Sequence, residues 1–348
     1  MKAVPVTIEW HSGLPIYSSE PFLKSVSAEY GWIGGLDTLG NLRCVLPYVS
    51  LRKSIFHLIR FATEPIPTKA DLSLEEENAF LNSAMEHFRL AGVDLIIPAT
   101  FNTLFRTYPA GATAAEYGTY LIDLTQPEQT HWQNLHSKHR NVIRNALKKG
   151  VRVRSGPEYL DTAYGLVRDS FERSSVGFVS RLRLNLRMSY ESFRNQVDSL
   201  GDNVRIFVAE FEGKVQGCAV IHFSEHTAYY MHGGSVPVPV TGALNLLHWE
   251  AIRHFREAGV RHYNFVGARP NPRPGSKQEG IIRFKERFGG KLVRGYMWKY
   301  SFHPLKSSLY NLAAHLRNGG DIVDQLLRDL KDAQRCSSAG GTVQSNPL

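Results

Sequence analysis

Two copies of one mixed α+β unit, each built on a mostly antiparallel sheet, account for most of this 348-residue chain. Three observations lead there. The length suits two domains better than a single core. The segment MEHFRLAGV at 85–93 returns as IRHFREAGV at 252–260, with His-Phe-Arg and Ala-Gly-Val at the same spacing. A hairpin pattern stands upstream of each copy: WIGGLDTLGNLRCVLPYV at 32–49 turns at Gly40, and RIFVAEFEGKVQGCAVIHF at 205–223 turns at Gly213. The order hairpin, helix, strand thus occurs twice, which duplication explains better than chance.

Each repeated segment closes a helical pattern, with its glycine placed to cap the C-terminus, and each leads into a strand, 93–97 or 261–266. The second copy is the fuller. It reads as a strand at 151–154, helices over 158–173 and 190–200, and strands at 204–211, 215–223 and 226–232. A helix over 242–258, the 261–266 strand, a short helix over 279–288 and a last strand at 291–302 complete it. Between the copies, 126–150 is expected to form one linking helix. Thr125 and Glu128 would make a capping box, and Gly150 would end it. Arg140, Arg144 and Lys148 lie four apart and stack on one face, either a solvated basic face or a contact for RNA backbone or phosphate. After Pro304 an amphipathic helix packs back on the body. The expected division is 1–125, the linker 126–150, 151–303, a C-terminal helix 304–333 and a disordered tail 334–348.

Composition narrows the function classes. No run of eighteen apolar residues is present and the N-terminus lacks an apolar segment of signal-peptide length. The expected location is therefore the cytoplasm, with the inner face of the membrane as an alternative. Cys44, Cys218 and Cys336 are far apart, so neither a zinc site nor a disulfide framework is expected. The net charge of +9 favours an anionic partner.

The most informative segment is EGIIRFKERFGG, 279–290. On a helix, Ile281, Ile282, Phe284 and Phe288 make the apolar face, and Lys285 falls inside that arc while Arg283 falls outside it. An inward lysine either snorkels past the core edge or binds an anion or a developing oxyanion. No GxSxG elbow or Cys/His pair accompanies it, which suits aminolysis of an activated ester, where no side-chain nucleophile is needed.

The element order of the second copy resembles the GNAT acetyltransferase fold, a mostly antiparallel sheet split by a V-shaped opening. More specifically, TYLIDLTQPEQTHWQNLHSKHRNVIRNALKKGVRV (119–153), AYYMHGGS (228–235), NLLHWEAIRHFREAGVRHYNFVGA (245–268) and GIIRFKERFGG (280–290) resemble segments of the Fem-type (FemABX) peptidyltransferases. The resemblance runs over about 1–303. It implies two tandem GNAT-like domains, the first degenerate, and transfer of an amino acid from aminoacyl-tRNA to an amine of a peptidoglycan precursor. It implies that Lys285 stabilises the tetrahedral intermediate and that Tyr229 or Tyr230 lines the site. Strand alternation puts the two on opposite faces, so only one can do so; Tyr230 is the preferred one, with His232 on the same face as a candidate proton acceptor. Precursor phosphates would meet Arg187 and Tyr190, with Arg181 or Arg183 as substitutes; Asn264 and Arg283 complete the expected substrate-binding set.

Two departures qualify this. Asn264 stands where the family pattern has an acid, and no coiled-coil arm is inserted. The stretch before the central helix, 237–244, has one glycine of the Q/R-x-x-G-x-G/A loop that cradles coenzyme A. No tightly bound cofactor or metal is expected; the donor is aminoacyl-tRNA or acyl-CoA. The acceptor is an anionic envelope precursor, a nucleotide-sugar or lipid-linked glycan, with tRNA and a peripheral membrane surface as further partners. Competing readings are a CoA-dependent N-acyltransferase of sugars or exopolysaccharide and a non-catalytic basic RNA- or partner-binding protein.

Overall fold

The computed structural model describes residues 1–174, 189–272 and 275–339. The first half contains β1 (Lys2–Val6), α1 (Glu20–Val26), β2 (Glu29–Leu36), β3 (Leu42–Lys53), β4 (Phe56–Phe61), β5 (Ile66–Pro67), α2 (Leu74–Leu90), β6 (Leu95–Ile96) and β7 (Thr113–Asp123). Then come α3 (Glu128–Asn134), α4 (Ser137–Lys149), β8 (Arg152–Ser155), α5 (Leu160–Ser174) and α6 (Tyr190–Leu200). The rest is β9 (Val204–Phe211), β10 (Lys214–Phe223), β11 (Ala228–Ser235), α7 (Ala243–Glu257), β12 (His262–Asn264), α8 (Lys277–Glu286), β13 (Lys291–Ser301), α9 (Pro304–Asn318) and α10 (Ile322–Ala339). The fold is α+β, as expected, with mostly antiparallel pairing.

The repeat is visible hydrogen bond by hydrogen bond. At the end of α2 the amides of Ala91, Gly92 and Val93 donate to His87, Arg89 and Phe88; at the end of α7 those of Ala258, Gly259 and Val260 donate to His254, Arg256 and Phe255. Gly92 and Gly259 take φ of 70° and 76°, the left-handed conformation that such a helix stop requires. Each copy also has one parallel junction, β4 with β6 and β11 with β12, while the flanking pairs are antiparallel.

The copies are joined by exchange of their last strands. β7 leaves the first half and pairs with β12, through His262↔Asp123 to Asn264↔Leu121. β13 from the second half pairs with β6, through Tyr300↔Ile96 and Ser301↔Leu95. The exchanged strands pair with each other along nine positions from Lys291↔Leu121 to Lys299↔Thr113. One continuous sheet results, ordered β1-β2-β3-β4-β6-β13-β7-β12-β11-β10-β9-β8. A further core under the N-terminal segment ties the halves together. It buries Tyr17, Phe22 and Leu23 against Leu200 and Tyr229, and Tyr17 Oη lies 3.3 Å from His222 Nδ1.

Two helices expected to be continuous are broken. The linker is α3 and α4, parted at Leu135, whose extended ψ of 136° turns its side chain into the core. The break is held by the His136 amide donating to the Arg287 carbonyl. Thr125 does not cap: its hydroxyl donates to Asp123 at 2.6 Å, and Glu128 pairs with Arg253 and Arg256. Gly150 does end α4, at φ 91°. The C-terminal helix is α9 and α10, reversed at Gly319 and Gly320 (φ 69° and 100°), so that Val323 and Leu326 of α10 pack into the first-half core. Residues 334–339, expected to be disordered, continue α10; positions 340–348 lie outside the described residues. Among the described residues no helix is long and apolar enough to cross a membrane, and no group of His, Cys, Asp or Glu side chains is arranged to hold a metal ion.

Candidate active site

The parallel pairing of β11 and β12 lasts two positions, Ala228↔Tyr263 and Tyr229↔Asn264, and then the strands part. What parts them is a bulge. The Phe265 amide still donates to the Tyr120 carbonyl, and Ala268 re-pairs with Gly118, leaving Val266 and Gly267 together opposite the single residue Thr119 of β7. Both are left-handed, with φ of 49° and 63°. A β-branched residue in that region is strained and persists only where its surroundings impose it. Asn264 imposes it here. Its Oδ1 accepts from the Val266 amide at 2.7 Å and from the Thr119 hydroxyl at 2.5 Å. The bulge frees the carbonyls of Val266 and Gly267 from the ladder.

Lys285 takes both of them. Helix α8, capped by Ser276, carries Lys285 inward, and it is the buried residue of that helix at 5% exposure. Ile281, Ile282 and Phe284 are only partly covered, so the apolar arc surrounds the lysine without sealing it; Phe288, just beyond the helix, is buried. Nζ donates to the Val266 and Gly267 carbonyls, each at 2.5 Å. Among the described residues no carboxylate is paired with it. Burial pulls the ammonium down to about 7, while the two carbonyl oxygens act the other way by binding its charged form. An ammonium has three donors, so one remains for a ligand.

The wall beside Lys285 is aromatic and neutral. The Tyr230 ring lies 4.5 Å from the His248 ring, edge to face, and His248 Nδ1 lies 3.0 Å from Tyr263 Oη. Phe265, Phe284 and Phe288 pack around His248 at 5.4–5.7 Å. His139 of α4 stacks on Phe284 and Phe288, its Nδ1 buried without a hydrogen-bond partner. Burial first, then the charge of Lys285 and of His139, hold His248 down at about 3, so it is neutral. Burial raises the phenols of Tyr230 and Tyr263. Of these four groups, Lys285 alone titrates near neutrality.

The other expected residues are dispersed. Tyr230 and His232 were expected on one face, but a second bulge separates them. Ile221 pairs with Tyr230 and Val220 with His232, so Met231 is the extra residue and the two side chains leave by opposite faces. His232 faces Phe193 and His222 at 5.6 and 6.2 Å, and burial holds it at about 4. Tyr229 is buried against Tyr17 at 4.9 Å, away from Lys285. Tyr190 donates to Asp161, and Arg283 pairs with Glu279 at 3.0 Å on the surface. Arg140 is turned onto the carbonyls of Gln133 and Leu135 at the end of α3. Arg144 lies over Trp132 at 5.2 Å and, with Lys148, stays exposed. Arg181, Arg183 and Arg187 lie outside the described residues. Sequence reasoning missed His248, Tyr263 and Thr119. For His248 a signal exists: it stands four and seven residues before Ile252 and Phe255, on the apolar stripe of α7.

Residues 137–278 match the family model described as acetyltransferase (GNAT) domain. The fold is similar to the crystal structure of FemX, at 16% identity and a TM-score of 0.63, over 89% of this chain and 99% of that one. The fold is FemABX-like. Its GNAT part is an acyltransferase domain, and in this FemABX-like frame that domain starts at α4 and takes in the β11–β12 opening and the start of α8. The fold is also similar to the C-terminal domain of a putative lysylphosphatidylglycerol synthetase from Agrobacterium fabrum, at 15% identity and a TM-score of 0.50, over 86% of this chain and 93% of that one. No curated protein matches the sequence.

Proposed function

We propose that this protein transfers an aminoacyl or acyl group to an amine of a cell-envelope glycan or peptidoglycan-type precursor by direct aminolysis. The observation that carries this reading is Lys285. It is a buried lysine with no carboxylate partner among the described residues, anchored by two bulge carbonyls and keeping one donor for a ligand beside the opening between β11 and β12. Such a group suits the oxygen of a tetrahedral intermediate. The acceptor's neutral amine attacks the carbonyl carbon of the donor ester; the C–N bond forms and the carbonyl oxygen takes the negative charge. Lys285 binds that oxygen through its free N–H. Collapse breaks the bond to the leaving oxygen or sulfur, which departs with the proton from nitrogen. Tyr230, Tyr263 and neutral His248 line the site without adding a competing charge.

The donor reading rests on α4. Gly242, at φ 88°, closes the turn before α7, and a Cβ there would lie 2.2 Å from the Val142 carbonyl of α4. Helix α4 therefore lies on the turn where a GNAT enzyme offers backbone amides to coenzyme A, and its exposed Arg144 and Lys148 offer charge to a phosphate backbone. This supports aminoacyl-tRNA. The GNAT domain match supports the second reading, an acyl-CoA-dependent N-acyltransferase of sugars. The likeness to FemX and to a putative lysylphosphatidylglycerol synthetase supports an envelope acceptor.

The test supplies radiolabelled aminoacyl-tRNA and, separately, radiolabelled acyl-CoA, each with amine-bearing nucleotide-sugar and lipid-linked acceptors. Label moving from tRNA to an acceptor is the expected result. Consumption of acyl-CoA alone replaces the donor. Turnover of neither, with retained RNA binding, favours a non-catalytic RNA-binding protein.

A further inference from the structure

Helix α9 meets the body through Lys306, Tyr310 and Asn311: Lys306 donates to Asp94 at 2.8 Å and to the Ile55 carbonyl at 3.1 Å, Tyr310 packs on Phe56, and Asn311 accepts from Lys299 at 3.3 Å. Its leucines face outward. Leu305, Leu309, Leu312 and Leu316 are 84%, 54%, 58% and 68% exposed. Spacings of four, three and four residues place them on a strip about 60° wide along the helix. Ile55, 59% exposed at the tip of the β3–β4 hairpin, adds a further exposed apolar side chain next to α9, its carbonyl accepting from Lys306. A surface helix ordinarily buries such a stripe, and an exposed one marks an interaction surface.

The sequence at the stripe is basic. Helix α9 carries Lys306 and Arg317 and no acidic residue, and exposed Lys53 stands at the hairpin tip; of the cationic side chains beside the leucines, Lys306 is paired with Asp94, His303 lies 3.7 Å from Asp94 and His315 lies 4.0 Å from Asp324. A second copy of the chain is too small an occupant. One helix about 22 Å long with a stripe about 10 Å wide would bury about 200 Å² per partner, against about 800 Å² in a stable interface. A lipid surface needs no such area from one patch, because leucines at the acyl boundary and cations at the headgroups act together. We infer that α9 and the β3–β4 tip form an interfacial docking surface for an anionic phospholipid bilayer, with the leucine strip lying in the headgroup layer. This surface is separate from Lys285 and stands whether or not the transfer chemistry above is right.

Co-sedimentation of the full chain with vesicles tests it. Vesicles of phosphatidylcholine mixed with phosphatidylglycerol should bind about ten-fold or more better than phosphatidylcholine alone, and added salt should reduce binding. The combined variant Leu305→Ser, Leu309→Ser and Leu312→Ser should lose about ten-fold or more of that binding with its melting temperature unchanged. A Leu309→Trp variant should shift its emission to the blue on adding mixed vesicles. No binding to mixed vesicles, equal binding by the triple variant, or no shift at Trp overturns the inference. So does a concentration-dependent dimer in light scattering that the triple variant abolishes while vesicles stay unbound.

Discussion

Lys285 is charged or neutral depending on a narrow range of pH, and the direction of its shift fixes two measurements. Burial sets its folded value at about 7, below the 10.5 of an ordinary lysine. Between those values the unfolded chain binds more protons than the native one, so the contribution of Lys285 to stability rises with pH from about 7 upward and is at its lowest below it. Denaturant melts at neutral and alkaline pH should therefore show the parent gaining on a Lys285→Met variant as pH rises. Catalysis should move oppositely. An oxyanion-binding ammonium is lost above about 7, so kcat should fall on the alkaline side, and Lys285→Met should lose about 10²-fold or more at neutral pH while its far-UV spectrum is retained. A full rate in Lys285→Met would remove the lysine from the mechanism. Asn264 acts one step behind it. Asn264→Ala removes the acceptor for Val266 and Thr119, and should cost about 1–2 kcal/mol in urea melts. It should also lower kcat, because the bulge carbonyls that aim Lys285 are released.

The helices and turns show where local signals suffice and where they do not. The two helix stops were legible because Ala-Gly-Val repeats and glycine alone adopts positive φ cheaply; the open space around Gly92 and Gly259 makes their cost purely conformational. Gly92→Ala and Gly259→Ala should each lower stability by about 1 kcal/mol, and by similar amounts, in thermal melts. Gly242→Ala should cost more, above about 2 kcal/mol, since its new methyl also meets the Val142 carbonyl. Hairpins at 32–49 and 205–223 and helix 190–200 were equally legible from pattern. The break at Leu135 was not, because an apolar residue at helical spacing looks the same whether the helix continues or turns inward. The bulges at Met231 and Val266 were not legible either. Alternation places Tyr230 with His232, and only pairing to β10, a tertiary fact, reveals the slipped residue. Lys285 was found by phasing because a charge on an apolar arc is conspicuous; His248 obeys the same rule but passes as one more core side chain among Trp249, Ile252 and Phe255.

The molecule as a whole is held by the exchanged strands, and its unfolding should show it. With β7 inside the second-half sheet and β13 against β6, neither half has a complete sheet of its own. Calorimetry should give one transition for both halves. A fragment of residues 126–348 produced alone should remain unfolded, and co-production with residues 1–125 should restore it; independent folding of either piece would contradict the exchange as a stabilising feature. The sequence disclosed two copies but not their exchange, because a strand's partner is not written in its own residues. The exchange also bears on how the protein is made. β13 ends at Ser301, so the ribosome must deliver the chain through that strand before the sheet can close. Until then the nascent first half carries β7 without its neighbours and β6 with an open edge. Such a chain gains little from the usual head start of its N-terminal portion, and its yield in the cell should depend on factors that shield unpaired strands during translation.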